Sequence, residues 1–255
     1  MTGCRNTTPK CAPKRTIVKV FFSTLGINAH LCRVKNIRLH LVALIWIISP
    51  VVANAQSSDL GNWLMYFGNK QINKNLNWHH EVQYRNYNAI GDMEQLLLRT
   101  GLGYNLTPSN NNILLGYGFI QSENYISGQD EKIGVTEHRV YQQFITKQKA
   151  GRVSLQHRYR LEERWVQEDF KMRFRYFLSL NVPLNKSQLK DKTIYLSAYN
   201  ELFINNQETY FDRNRLYSGI GYKLNSTLKM ELGYMNQYFG TSSRDQINMM
   251  AFVNF

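Results

Sequence analysis

Three groupings in this chain carry side chains of the types that catalysis or metal binding uses: His79-His80-Glu81, Glu162-Glu163, and the histidines at 79, 80, 138 and 157. A metal centre would need the first grouping to converge on one ion. A general acid–base pair would need both carboxylates of the second on one side. Each grouping lies where polar and apolar residues alternate, and adjacent residues of a strand point to opposite faces. His79 and His80 therefore diverge, as do Glu162 and Glu163. A membrane-face acyl hydrolase would place a serine two residues after a histidine, but those positions hold Glu81, Val82, Val140 and Tyr159. Gly101-x-Gly103, Gly116-x-Gly118 and Gly219-x-Gly221 fall inside alternating runs, where glycine relieves crowding or permits bending. No catalytic residue, metal ligand or cofactor is expected.

What remains is a large set of arginines. From Phe170, the residues Phe170, Met172, Phe174, Tyr176, Leu178, Leu180, Val182 and Leu184 alternate with Lys171, Arg173, Arg175, Phe177, Ser179 and Asn181. From Val153 to Trp165 an apolar set alternates in the same way with Gln156, Arg158, Arg160, Glu162 and Arg164. This is a long hairpin with one apolar and one arginine-rich face. The pattern recurs over 77–87, 94–106, 113–125, 137–146, 193–204, 213–224, 228–239 and 246–255, with turn-forming clusters between and no helical periodicity. Over all runs the polar face carries Glu81, Arg85, Arg99, Glu137, Arg139, Arg158, Arg160, Glu162, Arg164, Arg173, Arg175, Glu201, Arg215 and Glu231. A meander of this kind is one all-β domain, and closure into a barrel leaves no unpaired edge.

Alternation alone leaves two orientations open. A soluble periplasmic ligand-binding barrel would turn its apolar face inward. A membrane barrel turns it outward, to lipid. Runs longer than the usual soluble strand, an apolar face crowded with aromatics, and a polar face suited to a wet lumen favour the membrane barrel. The chain ends on Phe255, preceded at alternate positions by Ile247, Met249, Ala251 and Val253, an ending that resembles the signal read by the outer-membrane barrel-assembly machinery. Trp63, Glu81-x-x-x-Arg85, Glu137-His138-Arg139, the run from His157 to Glu162 and Arg213-x-Arg215 together resemble a family of predicted Gram-negative outer-membrane proteins, known only as a domain of unknown function. The resemblance spans nearly all of residues 60–255. It implies an outer-membrane β-barrel and brings no activity or catalytic residues with it.

The remaining features bear on compartment and partners. The chain holds 31 lysines and arginines against 18 acids, but residues 1–55 contain eight of the bases and no acid. Residues 56–255 therefore keep 23 against 18, which removes most of the argument for a nucleic-acid partner. Arg33, Lys35 and Arg38, the apolar run Leu41–Val52 and Ala53-Asn54-Ala55 form a signal peptide over 33–55, cleaved before Gln56. Residues 1–32 are expected to be an extension from a mis-assigned start, the true one lying near Val34. Cys4, Cys11 and Cys32 all precede the cleavage site, so a disulfide framework is excluded from residues 56–255.

The expected fold is thus an antiparallel, up-and-down transmembrane β-barrel of 10–12 strands over 56–255. Eleven runs result if Trp63–Asn69 is a strand. Because bacterial single-chain barrels are even-numbered, that run is expected either to lie off the wall, leaving ten, or to signal a missed strand, making twelve. Two roles stay open: a non-catalytic structural or binding barrel plugged by Arg–Glu ladders, and a small anion-preferring channel with an Arg-rich lumen. An outer-membrane lipid-modifying enzyme is the alternative from another class. The expected partners are outer-membrane lipid, the barrel-assembly machinery and a small anionic solute.

Overall fold

The computed structural model describes residues 60–255 apart from Ile90 and Glu208. The signal peptide placed at 33–55, the extension at 1–32 and the three cysteines lie outside the described residues. Eleven strands follow one another: β1 (Gly61–Gln71), β2 (Leu76–Asn86), β3 (Met93–Asn105), β4 (Asn111–Tyr125), β5 (Lys132–Ala150), β6 (Val153–Val166), β7 (Asp169–Pro183), β8 (Thr193–Asn205), β9 (Phe211–Lys223), β10 (Leu228–Tyr238) and β11 (Ser243–Asn254). Each pairs antiparallel with the next, and β1 closes on β11 to make a barrel.

That closing pair is parallel, running from Gly61 opposite Gln246 to Asn69 opposite Asn254. It corrects both alternatives drawn from strand parity: β1 is a wall strand, and the count is eleven. Closure requires only that the backbone groups of both edge strands find partners, and a parallel ladder supplies them as an antiparallel one does. The ladder extends past β11, where the Phe255 amide donates to the Asn69 carbonyl at 2.9 Å and the Gln71 amide to the Phe255 carbonyl at 3.2 Å. With an odd number of strands the first and last begin at the same end of the barrel. We call the end where β1 and β11 finish the C-terminal end, and the other the N-terminal end.

The turn that the sequence leaves between the runs 113–125 and 137–146 is also shorter than those bounds. Only Ile126–Glu131 connects β4 to β5, because Lys132–Thr136 pair with Tyr125–Gln121 despite lacking alternation. At this edge Lys132 binds the Asp92 carboxylate, which also accepts from Tyr125 Oη at 2.9 Å. Desolvation opposes it, but these hydrogen bonds and the Lys132 charge hold the Asp92 carboxyl below its usual range.

The distribution of side chains is inverted relative to a water-soluble domain. Leu102, Leu115 and Ile220 on the outer face are 61%, 60% and 59% exposed, whereas Glu162 and Arg160 inside are 0% and 2% exposed. Aromatic rings share the interior with the charges, and facing glycines make room for them. A Cβ on Gly116 would fall within the Tyr141 ring, and one on Gly221 within the Tyr195 ring. Replacing Gly116 with Val should therefore overpack the interior and lower the unfolding free energy by about 1–3 kcal/mol. Denaturant titration of the refolded barrel checks this, and Tyr141→Leu added to the same chain should restore part of the loss.

Candidate functional site: a basic cup above an arginine–glutamate plug

The charged interior is built from cross-strand neighbours. Register places Arg139 opposite Arg164, Glu162 opposite Arg173, Arg160 opposite Arg175 and Glu201 opposite Arg215. Barrel stagger then brings residues of non-adjacent strands to one height. Glu162 accepts from Arg173 Nε and Nη2 at 3.0 and 2.7 Å on one oxygen, and from Arg175 Nη1 at 2.6 Å on the other. Arg160 and Arg139 approach the same carboxylate at 3.6 and 3.9 Å. Glu201 accepts from Arg175 Nε and Nη2 at 3.0 and 2.6 Å and from Arg158 Nη2 at 2.6 Å, with Arg215 at 3.8 Å. Glu137 is gripped by Arg139 Nε and Nη2 at 2.5 and 2.9 Å, and by Arg164 at 2.5 and 3.0 Å.

Aromatic rings fill the spaces between these planar charges. Trp63 is 2% exposed and lies beneath the Arg85 guanidinium, 3.7 Å from its ring centre, with Arg215 at 4.9 Å. Phe203 is buried with Arg175 and Arg215 at 4.5 and 4.6 Å, and Arg160 covers Tyr141 at 4.5 Å. Such contacts are worth most where the cation is desolvated. Together the ion pairs and rings form a buried charged layer, here called the plug, in which Glu137, Arg139, Glu162, Arg173 and Phe203 have little solvent exposure.

Above the plug, at the C-terminal end, the lumen opens into a cavity of 930 Å³. Its basic lining residues are Arg85, Arg99, Arg158, Arg160, Arg175, Arg215, Lys147, Lys149 and Lys229, set against Glu81, Glu201 and Glu231. The acids are all engaged. Glu81 takes Arg99 at 2.6 Å and a hydrogen bond from Gln83; Glu231 takes Tyr195 Oη and Ser197 Oγ at 2.8 Å each and Lys229 at 3.3 Å. Arg99 Nε and Arg158 Nε are buried without a hydrogen-bond partner among the described residues, whereas Arg160 is fully engaged, Nε and Nη2 with Gln143 and Nη1 3.6 Å from Glu162. The arrangement is a cup with surplus positive charge, suited to holding an anion.

Of the residues singled out by alternation, Glu81, Arg85, Arg99, Arg158, Arg160, Arg175, Glu201, Arg215 and Glu231 line this cup. Glu137, Arg139, Glu162, Arg164 and Arg173 belong to the plug. At the C-terminus, Met249 and Phe255 are exposed, and Ile247, Ala251 and Val253 half-buried, opposite the buried Gln246, Asn248 and Met250. Sequence reasoning missed Lys147 and Lys149 because it ended that strand at Thr146; continued alternation from Glu137 would have found both. It also gave no role to Trp63, since both faces of β1 are apolar. The histidines do not converge. His157 Nδ1 lies 2.9 Å from Tyr176 Oη and His138 Nδ1 2.6 Å from Tyr117 Oη, while His80 packs between Tyr66 and Trp78 at 5.4 and 4.6 Å.

The chain is similar to an uncharacterised protein of Methylorubrum extorquens, with 28% identity over 166 residues that cover 62% of this chain and 69% of the relative. No solved structure matches it. The family model described as protein of unknown function, DUF2490, matches residues 60–248, essentially the whole barrel from β1 into β11, and the chain belongs to that family.

Proposed function

We propose that this protein is a non-catalytic outer-membrane β-barrel, sealed across its lumen, that uses the basic cup at its C-terminal end to bind a small anionic solute. The observation that carries this reading is the inversion of polarity around the wall: fully buried ion pairs inside, and Leu, Ile, Tyr and Met side chains exposed outside. Water as the outer solvent would leave that surface a large hydrophobic patch, whereas lipid makes it the favourable one. A soluble ligand-binding barrel would bury the aliphatic residues and expose the arginines, the opposite of this arrangement. Strands of 11 to 19 residues also meet or exceed the roughly 9–11 that a tilted membrane-spanning strand needs.

On this reading lipid contacts the outer face, and the alternating apolar residues of β11 are read by the assembly machinery. Nucleic acid is not a partner, because the arginines that would meet phosphates are turned inward. The outward histidines are each held by aromatic neighbours, which supports a role in the wall over one in lipid chemistry.

The membrane assignment predicts that the protein fractionates with outer membranes and migrates faster on gels before boiling than after. Recovery as a soluble monomer would overturn it. The plug predicts that the refolded protein gives no steady current in planar bilayers. A steady anion-selective current that weakens in Arg173→Gln and Arg175→Gln variants would replace the sealed barrel with the small-channel reading. The plug also predicts an asymmetry between neighbouring glutamates. Glu162→Ala leaves buried guanidinium groups uncompensated and should cost about 3–5 kcal/mol of stability. Glu163→Ala, on the outer face, should change it by less than about 0.5 kcal/mol. Equal effects in denaturant titrations would show that the network does not hold the barrel.

A further inference from the structure

The two sides of the cup differ in chemistry. On one side the β6–β7 ladder sets Ser154 opposite Asn181 and Gln156 opposite Ser179, and all four line the cavity. None of these side chains makes a hydrogen bond among the described residues, and Asn181 Oδ1 is buried without a partner there. Immediately below them Arg158 lies flat on Phe177, 4.3 Å from the ring centre. Its Nη2 is committed to Glu201 while its Nε is free. Across the lumen, on β1 and β11, Phe67 and Phe252 stack with their centroids 5.0 Å apart and their planes 15° from parallel. Both rings line the cavity.

Each of these features recognises a different part of one kind of molecule. Carboxamides and hydroxyls both donate and accept, so the Ser–Asn and Gln–Ser ladder matches a row of hydroxyl groups, which also do both. The stacked rings offer an apolar surface to a C–H face on the Phe67 side, Lys229 Nζ standing 3.9 Å from the centre of the Phe252 ring. The surplus of guanidinium charge at the floor, with Arg158 only partly committed, suits carboxylate or phosphate. A bare inorganic anion would use the floor and leave the ladder unpaired, and a greasy acid would use the rings and do the same. Both the ladder and the floor are satisfied by a sugar ring carrying an acidic group. The cavity volume lies within the range of small-molecule sites, about 300–1,000 Å³, with room for more than one ring.

We infer that the cup binds an acidic saccharide, its anionic group on Arg158 and its hydroxyls along Ser154, Gln156, Ser179 and Asn181. This rests on the reading of the chain as a barrel with a basic binding cup, and it names the ligand class. The test is calorimetric titration of the refolded full barrel in detergent micelles with glucuronic acid, glucose 6-phosphate, glucose and inorganic phosphate. At least one of the two acidic sugars should bind at least about tenfold more tightly than either glucose or phosphate, and which does so reports whether the acid is carboxylate or phosphate. Gln156→Ala with Ser179→Ala should weaken the acidic sugars several-fold and leave phosphate unchanged, and Arg158→Gln should weaken both. Phosphate binding as tightly as glucose 6-phosphate, with glucuronic acid no tighter than phosphate, would reduce the cup to an anion trap and overturn the proposal. So would no sugar binding by protein that keeps its heat-modifiable migration. Failure of the barrel reading itself would show separately, in loss of that migration.

Discussion

A carboxylate with no solvent exposure, gripped by two guanidinium groups and approached by two more, is the constraint around which this barrel is arranged. Removing charges from water costs several kcal/mol per ion, so Glu162 is tolerable only while Arg173 and Arg175 keep their places. Those arginines in turn need Glu201 and Asp212, at 2.6 and 3.0 Å. The network joins β6, β7, β8 and β9 through the lumen and so fixes their mutual stagger from inside. The aromatic rings between the guanidinium planes exclude water from the same region, which strengthens every pair in it.

The two halves of the lumen differ in composition. In the N-terminal half and the middle, the carboxylates of Glu137, Glu162 and Asp212 are each paired with arginines, although Trp63 Nε1 and both Gln246 amide atoms are buried without partners among the described residues. Toward the C-terminal end the arginines outnumber the acids and the β6–β7 ladder makes no side-chain hydrogen bond among the described residues, and the proposed ligand site rests on that difference. Neutral polar residues replace charged ones along the same two strands, from Glu162 and Arg173 up to Ser154 and Asn181. A single hairpin thus builds both the closure and one wall of the cup.

Much of this architecture was legible in the chain, and the parts that were not share a physical reason. Strict alternation from Val153 to Leu184 identified β6 and β7 and put Arg158, Arg160, Arg173 and Arg175 on one face. Alternation gives a face but not a height. Whether those arginines meet Glu162 and Glu201 or stand apart depends on barrel stagger, which is a non-local property. The start of β5 was hidden because Lys132–Thr136 do not alternate in polarity, although they continue the ladder with Tyr125–Gln121. β1 was ambiguous because Trp63, Met65 and Phe67 are as apolar as Leu64 and Tyr66, leaving no polar parity to read. Its parallel partner β11 lies at the other end of the chain, where no local signal points back to it.

The central claim is that the outer face meets lipid while the cup meets water. Residues 60–255 contain no cysteine, so single cysteines can report on each surface in intact membranes. Ile220→Cys on the outer wall should resist a water-soluble maleimide and react with a lipid-soluble one, while Ser179→Cys in the cup should react with the water-soluble reagent. Labelling of Ile220→Cys by the water-soluble reagent as fast as Ser179→Cys would contradict the account.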